Sequence, residues 1–228
     1  MEESSPQESG PEKANPESIP ARIVDAAYRI VLAEGVDALR VRRIASEAGA
    51  STMAVYSHFG SIAAVAGEVC ERGFTEFDAL LRSGGPSDDP VSDLFCQGLL
   101  YLRFAVENPH LYTLMFQYTS PDWTPSRRSP LMSSGRPTDS PAGRAAFESV
   151  LHAVRASSPR DTDELAALTH AGVVWSTVHG LAMLSITGHL AGARDQVSRQ
   201  AFITLAIGIG TPQDTAERSF DAAIARIS

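Results

Sequence analysis

Apolar positions recur every three to four residues along almost the whole chain and nowhere alternate with polar ones, so the pattern predicts helices and no strands. Ile23, Ala27, Ile30 and Val31 form a first stripe, with Pro20 suited to the first helical position and Gly35 as the stop. Val41, Ile44, Ala45 and Ala48 fall at i, i+3, i+4 and i+7 and line one face of a short helix. Gly49 follows, where the chain needs a residue free to take positive φ. Ser51 can cap a further helix in which Val55 and Phe59, four apart, face one core while Tyr56, Ser57 and His58 are left outside. Gly60 breaks the chain and Ser61 can cap again. Ile62, Val65, Ala66, Val69, Gly73, Phe77 and Leu80 then trace one face of a long connecting helix.

The turn-rich stretch 83–90, SGGPSDDP, separates this first part from the second. Residues 91–107 carry Leu94, Phe95, Leu99, Leu102 and Phe104 on a helix closed by Asn108-Pro109, and a short aromatic helix, HLYTLMFQY, follows. Residues 120–141 are dense in Ser, Pro and Arg without periodicity and read as a long loop. A helix resumes over 142–156, the longest run of the second half extends from Asp161 to about Leu190, and one or two helices close the chain. Three units are therefore expected: a disordered acidic tail over 1–19, a smaller helical unit with its connecting helix over 20–84, and a larger helical unit over 85–228. The fold class is all-α.

Two short helices joined by a glycine-containing turn, Arg40 to Phe59, make a helix-turn-helix, whose second helix fits the major groove of DNA. EGVDALRVRRIASEAGASTMAVYSHFGS resembles the DNA-binding domain of TetR-like transcriptional repressors, and the resemblance runs from about Ala21 to Val69. It implies that Arg42 reaches a base or phosphate and that Thr52 and Met53 approach base edges. Tyr56 and His58 would hold phosphates, with Ser51 and Ser57 on the same DNA-binding face. For Tyr56 alone, a half-buried core phenol is the plainer role; within the motif the phosphate role is favoured. The chain departs from the family by having Arg40 where a Ser or Thr cap is common, Ala54 in place of Thr, and Ile62 in place of a phosphate-binding lysine. The last change leaves the backbone amides of the connecting helix as the anion partner.

In the second half, NPHLYTLMF and WSTVHGLAML are similar to the ligand-binding and dimerisation domain of a TetR subgroup named for tryptophan, histidine and glycine, here Trp175, His179 and Gly180. The resemblance implies a homodimer. Gly172, Gly180 and Gly188, eight apart, either permit close helix approach or merely thin the helix. Tyr101, Phe104, Tyr112, Met115, Phe116, Trp123, Trp175, His179 and Met183 could line an apolar effector cavity, although core packing is the commoner role for any one of them.

Charge changes one part of this picture. The net charge of −8 is awkward for a DNA-binding protein, but residues 1–19 hold five glutamates against Lys13, and residues 20–73 balance six arginines with six acids. Binding should then rest on few contacts and on dimerisation, with a modest salt dependence. Cys70 and Cys96 read as buried reduced thiols, and His170, His179 and His189 lack the spacing of a shared metal, so no metal or cofactor is expected. Neither a run of about 18 apolar residues nor a signal peptide is present, which points to a cytoplasmic protein away from membranes. No G-x-S-x-G, H-E-x-x-H or P-loop occurs, so no catalytic residue and no enzyme activity are expected. The expected function is a homodimeric repressor on a quasi-palindromic double-stranded DNA operator, released by a small apolar effector of unknown identity. The alternative is a helical interaction module whose DNA binding has decayed.

Overall fold

A computed structural model describes residues 18–117, 131 and 140–227. Most of the expected acidic tail, most of the loop expected over 120–141, and Trp123 lie outside the described residues. Within the described residues the chain forms ten helices and no strand, with a three-helix helix-turn-helix module ahead of a larger helical domain.

Helix α1, Ile19–Glu34, begins one residue earlier than predicted because Ser18 supplies the cap: its Oγ accepts from the Ala21 N–H at 3.3 Å, and Pro20 becomes the second helical residue. A 3-10 turn over Val36–Ala38 leads to α2, Val41–Glu47. Gly49, at φ 60°, then turns the chain while the Ala50 N–H closes back on the Ala45 carbonyl at 2.8 Å. Ser51 caps α3, Thr52–Phe59, and Ser61 caps α4, Ile62–Ser83; each hydroxyl accepts at 3.0 Å from the N–H three residues on. Ile23, Ile30, Val31, Ile44, Val55, Val65 and Val69 meet in one sealed core, which sets the angle between α2 and α3. Towards the end of α4 the predicted stripe drifts. Leu81 is buried and Leu80 only partly so, since Gly73, Phe77 and Leu81 continue the i, i+4 row.

The second domain comprises α5, Pro90–Glu107; α6, Pro109–Gln117; α7, Pro141–Ser157; α8, Glu164–Ile186; α9, Arg194–Gly208; and α10, Gln213–Ile227. Helix α8 is shorter at both ends than the predicted 161–190 run, because Asp163 caps its start and Thr187 ends it. Gly188, at φ 79°, lies beyond the helix, so the three glycines spaced by eight do not share one helical face. Helix α4 packs against α5 and α7, α5 also meets α8 and α10, and α9 bridges α8 and α10. Arg226 of α10 fastens that helix to the α4–α5 connection, donating to the Gly84 and Gly85 carbonyls at 2.7 Å each and pairing with Asp93 at 2.6 Å. No helix among the described residues is long and apolar enough to cross a membrane.

Helix α6 lies against both α1 and α4 and joins the two domains. Gly73 of α4 makes this possible: a Cβ there would stand 2.9 Å from Met115 Sδ and 3.0 Å from Leu111 Cδ1, both on α6. On the α1 side, a Cβ on Gly35 would stand 3.2 Å from His110 Nδ1. Gly73→Val is expected to lower stability by about 1–3 kcal/mol through overpacking, read as a lower midpoint in urea denaturation.

Candidate functional site

The first candidate surface is the outer face of α2 and α3. Arg42, Ser51, Thr52, Met53, Tyr56, Ser57 and His58 are all exposed, whereas Val55 on the opposite face of α3 is fully buried. Met53 keeps 75% and Tyr56 49% of its surface open to solvent, and neither belongs to the buried core. The three clustered arginines separate by role. Arg40 stands at the N-cap position of α2 without capping it, and its guanidinium donates instead to the Asp37 and Leu39 carbonyls at 2.6 and 2.9 Å. Arg43 forks onto the Glu34 carboxylate and donates from Nε to Glu47 at 3.0 Å. Arg42 makes no ion pair among the described residues and is the cation of the three that stays available.

Helix α1 holds this face to the connecting helix α4 through a polar lattice. The Arg72 guanidinium lies 3.9 Å from the centre of the Tyr28 ring and pairs with Asp25 and Glu76 at 2.9 Å each. Tyr28 donates its hydroxyl hydrogen to Glu76, and Asp25 also pairs with Arg29. The hydrogen bond from Arg72 holds the Asp25 carboxyl below the ordinary carboxylate range.

The second candidate site lies inside the second domain, where α4, α5, α6, α7 and α8 converge. Tyr101 of α5 and Tyr112 of α6 bring their hydroxyls to 2.8 Å, and Tyr112 Oη lies 2.6 Å from His179 Nδ1 on α8. The chain is satisfied when Tyr101 donates to Tyr112 and Tyr112 donates to an unprotonated Nδ1. Burial pushes both phenols well above the ordinary tyrosine range and holds the imidazole below the ordinary histidine value, so all three groups are neutral. Phe116 and Trp175 complete the cluster, with ring centres 5.2 and 6.2 Å from the imidazole.

Two small cavities open on the cluster. One, of about 30 Å³, lies among Phe74, Phe77, Phe116, Phe147 and Trp175; the other, of about 20 Å³, lies among Leu94, Gln97, Val174, Trp175 and Val178. Tyr101, Val150 and Trp175 line both. Of the residues expected at an effector cavity, Tyr101, Tyr112, Phe116, Trp175 and His179 are brought together. Phe104 packs instead on Phe77, with ring centres 5.0 Å apart, and Met115 faces Gly73 in the α4–α6 contact. Met183 stands at the rim, its sulfur accepting from Gln117 Nε2 at 3.2 Å. Sequence reasoning missed Gln97 and the α4 and α7 rings. The signal for Gln97 was a lone amide in an apolar run, one turn before Tyr101. Cys70 and Cys96 are buried free thiols, and burial raises the Cys70 thiol to about 12.

Residues 23–69 match the family described as bacterial regulatory proteins, tetR family, and residues 94–208 match the tetracyclin repressor-like C-terminal domain. A protein with unknown function from Rhodococcus sp. RHA1 is 26% identical, with a TM-score of 0.67 over 85% of this chain and 96% of that one. The TetR family transcriptional regulator PfmR from Thermus thermophilus is 19% identical, with a TM-score of 0.53 over 83% and 100% of the two chains. RolR, solved in complex with resorcinol, is 14% identical, with a TM-score of 0.55 over 89% and 92%. These last two likenesses are of fold. No curated protein matches the chain.

Because the His179 imidazole is held below its ordinary value of 6.5 in the folded protein, the unfolded chain takes up its proton first as pH falls. Its contribution to stability is present above about pH 6.5 and is lost as pH falls through the folded value. Urea midpoints should therefore decline on acidification from about pH 7 to 5, and His179→Gln should flatten that decline.

Proposed function

Because the chain belongs to the tetR family of bacterial regulatory proteins, we propose that it is a homodimeric, cytoplasmic repressor of a quasi-palindromic operator, released by a small apolar effector. It is a transcriptional regulator with a DNA-binding N-terminal domain and a ligand-binding C-terminal domain. The family is one of regulators, not enzymes, and PfmR among the structural neighbours is one of them.

The observation that carries the DNA-reading part is the exposure of Arg42, Thr52, Met53, Tyr56 and His58 beside a fully buried Val55. In this reading Arg42 grips a guanine edge or a phosphate, Thr52 and Met53 meet base edges, and Tyr56 and His58 fix the register on phosphates, with Ser51 and Ser57 alongside. The free N–H groups at the start of α4 take the phosphate that a lysine at position 62 would have held. Two reading heads then enter successive major grooves about 34–36 Å apart.

Dimerisation is supported by α8, which is apolar on both sides. Val173 and Leu184 remain 45% and 43% exposed, and with Gly180 they fall at i, i+7 and i+11 on one face. A Cβ on Gly180 would meet nothing within 4 Å in the single chain, which leaves room for a second helix. Affiliation of the second domain to the Trp-His-Gly subgroup belongs to the same reading. Its support is that Trp175 and His179, one turn apart, face one buried cluster. Effector binding would act through α6, which carries Tyr112 and Phe116 towards that cluster and Leu111 and Met115 towards α4. It can shift the equilibrium only by binding the two dimer forms unequally.

A second reading, an interaction module without DNA function, is favoured by one observation: Arg40 and Arg43 are already occupied by this chain's own groups. Fluorescence anisotropy against random DNA and against fragments flanking the gene, at low and moderate salt, separates the two. The repressor reading expects saturable, sequence-preferring binding. Tyr56→Phe should weaken all sequences alike, by about 3–10-fold; Arg42→Ala should weaken binding by about tenfold or more and blunt the preference. An unaltered sequence profile for Arg42→Ala would remove its base-reading role, and no salt-sensitive binding from a folded dimer would leave the interaction module standing. Leu184→Glu should shift the sedimentation coefficient to that of a monomer and abolish operator binding with it.

A further inference from the structure

Four buried side-chain nitrogen and oxygen atoms among the described residues have no hydrogen-bond partner: Gln97 Oε1, Arg144 Nε, His170 Nδ1 and Ser198 Oγ. Of these residues, only Gln97 lines either cavity of the aromatic cluster. A buried carbonyl oxygen without a donor is destabilising, and it stays in a fold when something else supplies the donor. Gln97 stands four residues before Tyr101 on α5, so the two share one helix face about one turn apart.

The remaining wall restricts what that donor belongs to. Among the described residues, no Asp, Glu, Lys, Arg or His lines either cavity, and the nearby Tyr101, Tyr112 and His179 are neutral and hydrogen-bonded to one another. A carboxylate, phosphate or ammonium entering here would be stripped of water with no countercharge to meet it. On one side of Trp175 the walls are aromatic, with Phe147 meeting its ring edge-on at 6.2 Å and Phe74, Phe77 and Phe116 nearby, and such walls favour a flat ring that can lie against them; on the Gln97 side they are aliphatic apart from Tyr101. Each cavity alone is too small, since a single benzene ring occupies a cavity of about 150 Å³. Even together the two fall short of that, so a ring is admitted only where Trp175, which lines both and is only partly buried, swings outward and gives up part of its own space.

We propose that the site takes a small uncharged phenol, whose ring lies against Trp175 in the space joining the two cavities and whose hydroxyl donates its hydrogen to Gln97 Oε1. This rests on the reading of the second domain as the effector domain. Hydrogen-bond donation from the hydroxyl makes a phenol preferred over an unsubstituted ring. The missing countercharge makes it preferred over an aromatic acid of the same size.

The chain has two tryptophans, so Trp123→Phe leaves Trp175 as sole reporter in the full-length protein; because Trp123 is itself a candidate for the cavity wall, the native chain is titrated alongside by calorimetry, and its affinities decide where the two proteins differ. Phenol, toluene and benzoate are titrated at neutral pH, following Trp175 emission. Phenol should give saturable quenching, toluene should bind about tenfold more weakly, and benzoate about a hundredfold more weakly or not at all. Adding Gln97→Leu should bring phenol down to the affinity of toluene and leave toluene unchanged. Because it removes an orphaned acceptor, it should also raise the ligand-free Tm by about 2–4 °C, which shows that the loss of phenol binding is not misfolding. Benzoate binding as tightly as phenol, phenol affinity unaffected by Gln97→Leu, or no phenol binding would each overturn the proposal. Operator anisotropy on the same Trp123→Phe protein keeps the two readings apart. DNA binding without a phenol site removes only the ligand class, and a phenol site without DNA binding removes only the repressor.

Discussion

Gly73 has no side chain, and α6 lies where that side chain would be. With Leu111 and Met115 seated directly on the α4 backbone, the short helix is trapped between the connecting helix and α1, and it cannot move without moving them. Packed interiors are close to solid, so such a contact transmits displacement rather than absorbing it. The consequence is geometric. Helix α4 begins at the end of the DNA-reading helix and ends beside the aromatic cluster, and α6 ties the cluster side of α4 back to α1. The Arg72 lattice with Tyr28, Asp25 and Glu76 makes the α1–α4 relation a fixed one. Individually these half-exposed pairs contribute little to stability; together they define an angle.

The neighbouring face of the same helix, one residue step round, carries the chemistry. Tyr112 is fully buried and bonded to both Tyr101 and His179, so three helices are joined by one chain of neutral donors and acceptors. In a low-dielectric setting such a chain is stable when complete and costly when broken. A ligand entering beside Trp175, as proposed, would press on Tyr101, which with Val150 and Trp175 lines both cavities. The first helix to feel it through a hydrogen bond is α6.

Much of the first domain was legible because its signals are local. Ser51 and Ser61 before apolar runs, Gly49 between two short stripes, and the four-residue step from Val55 to Phe59 each act within a few residues, and each sits where it was expected. The longer-range features were not legible. Glu34 and Arg43 lie nine residues apart on different helices, so nothing in the spacing of Arg40, Arg42 and Arg43 showed that the fold leaves Arg42 as the available one of the three. Gly188 read as part of a helical series because spacing carries no φ; Thr187 had already ended the helix. In the effector domain, aromatic and methionine positions announced burial without saying on which side of a helix neighbour they would fall. Phe104 and Met115 therefore went to the core, Tyr112 and Trp175 to the cluster. Gln97 could have been noticed as the lone amide in its stripe, but its lack of a partner is a property of the folded interior.

The distribution of charge bears on how such a module binds DNA at all. An acidic chain that leads with Arg42, its two neighbouring arginines already engaged, gains little from counterion release, the term that dominates most protein–DNA affinity. On the proposed reading, what remains is hydrogen bonding from Arg42, Tyr56 and backbone amides, together with the gain from engaging two half-sites at once. A second head tethered by a rigid dimer binds at high effective concentration when the spacing matches and contributes nothing when it does not. Weak individual heads therefore make affinity depend steeply on spacing. The proposed control by a small displacement through α6 and α4 follows from that dependence, because a head with many phosphate contacts would hold DNA regardless of its partner's position.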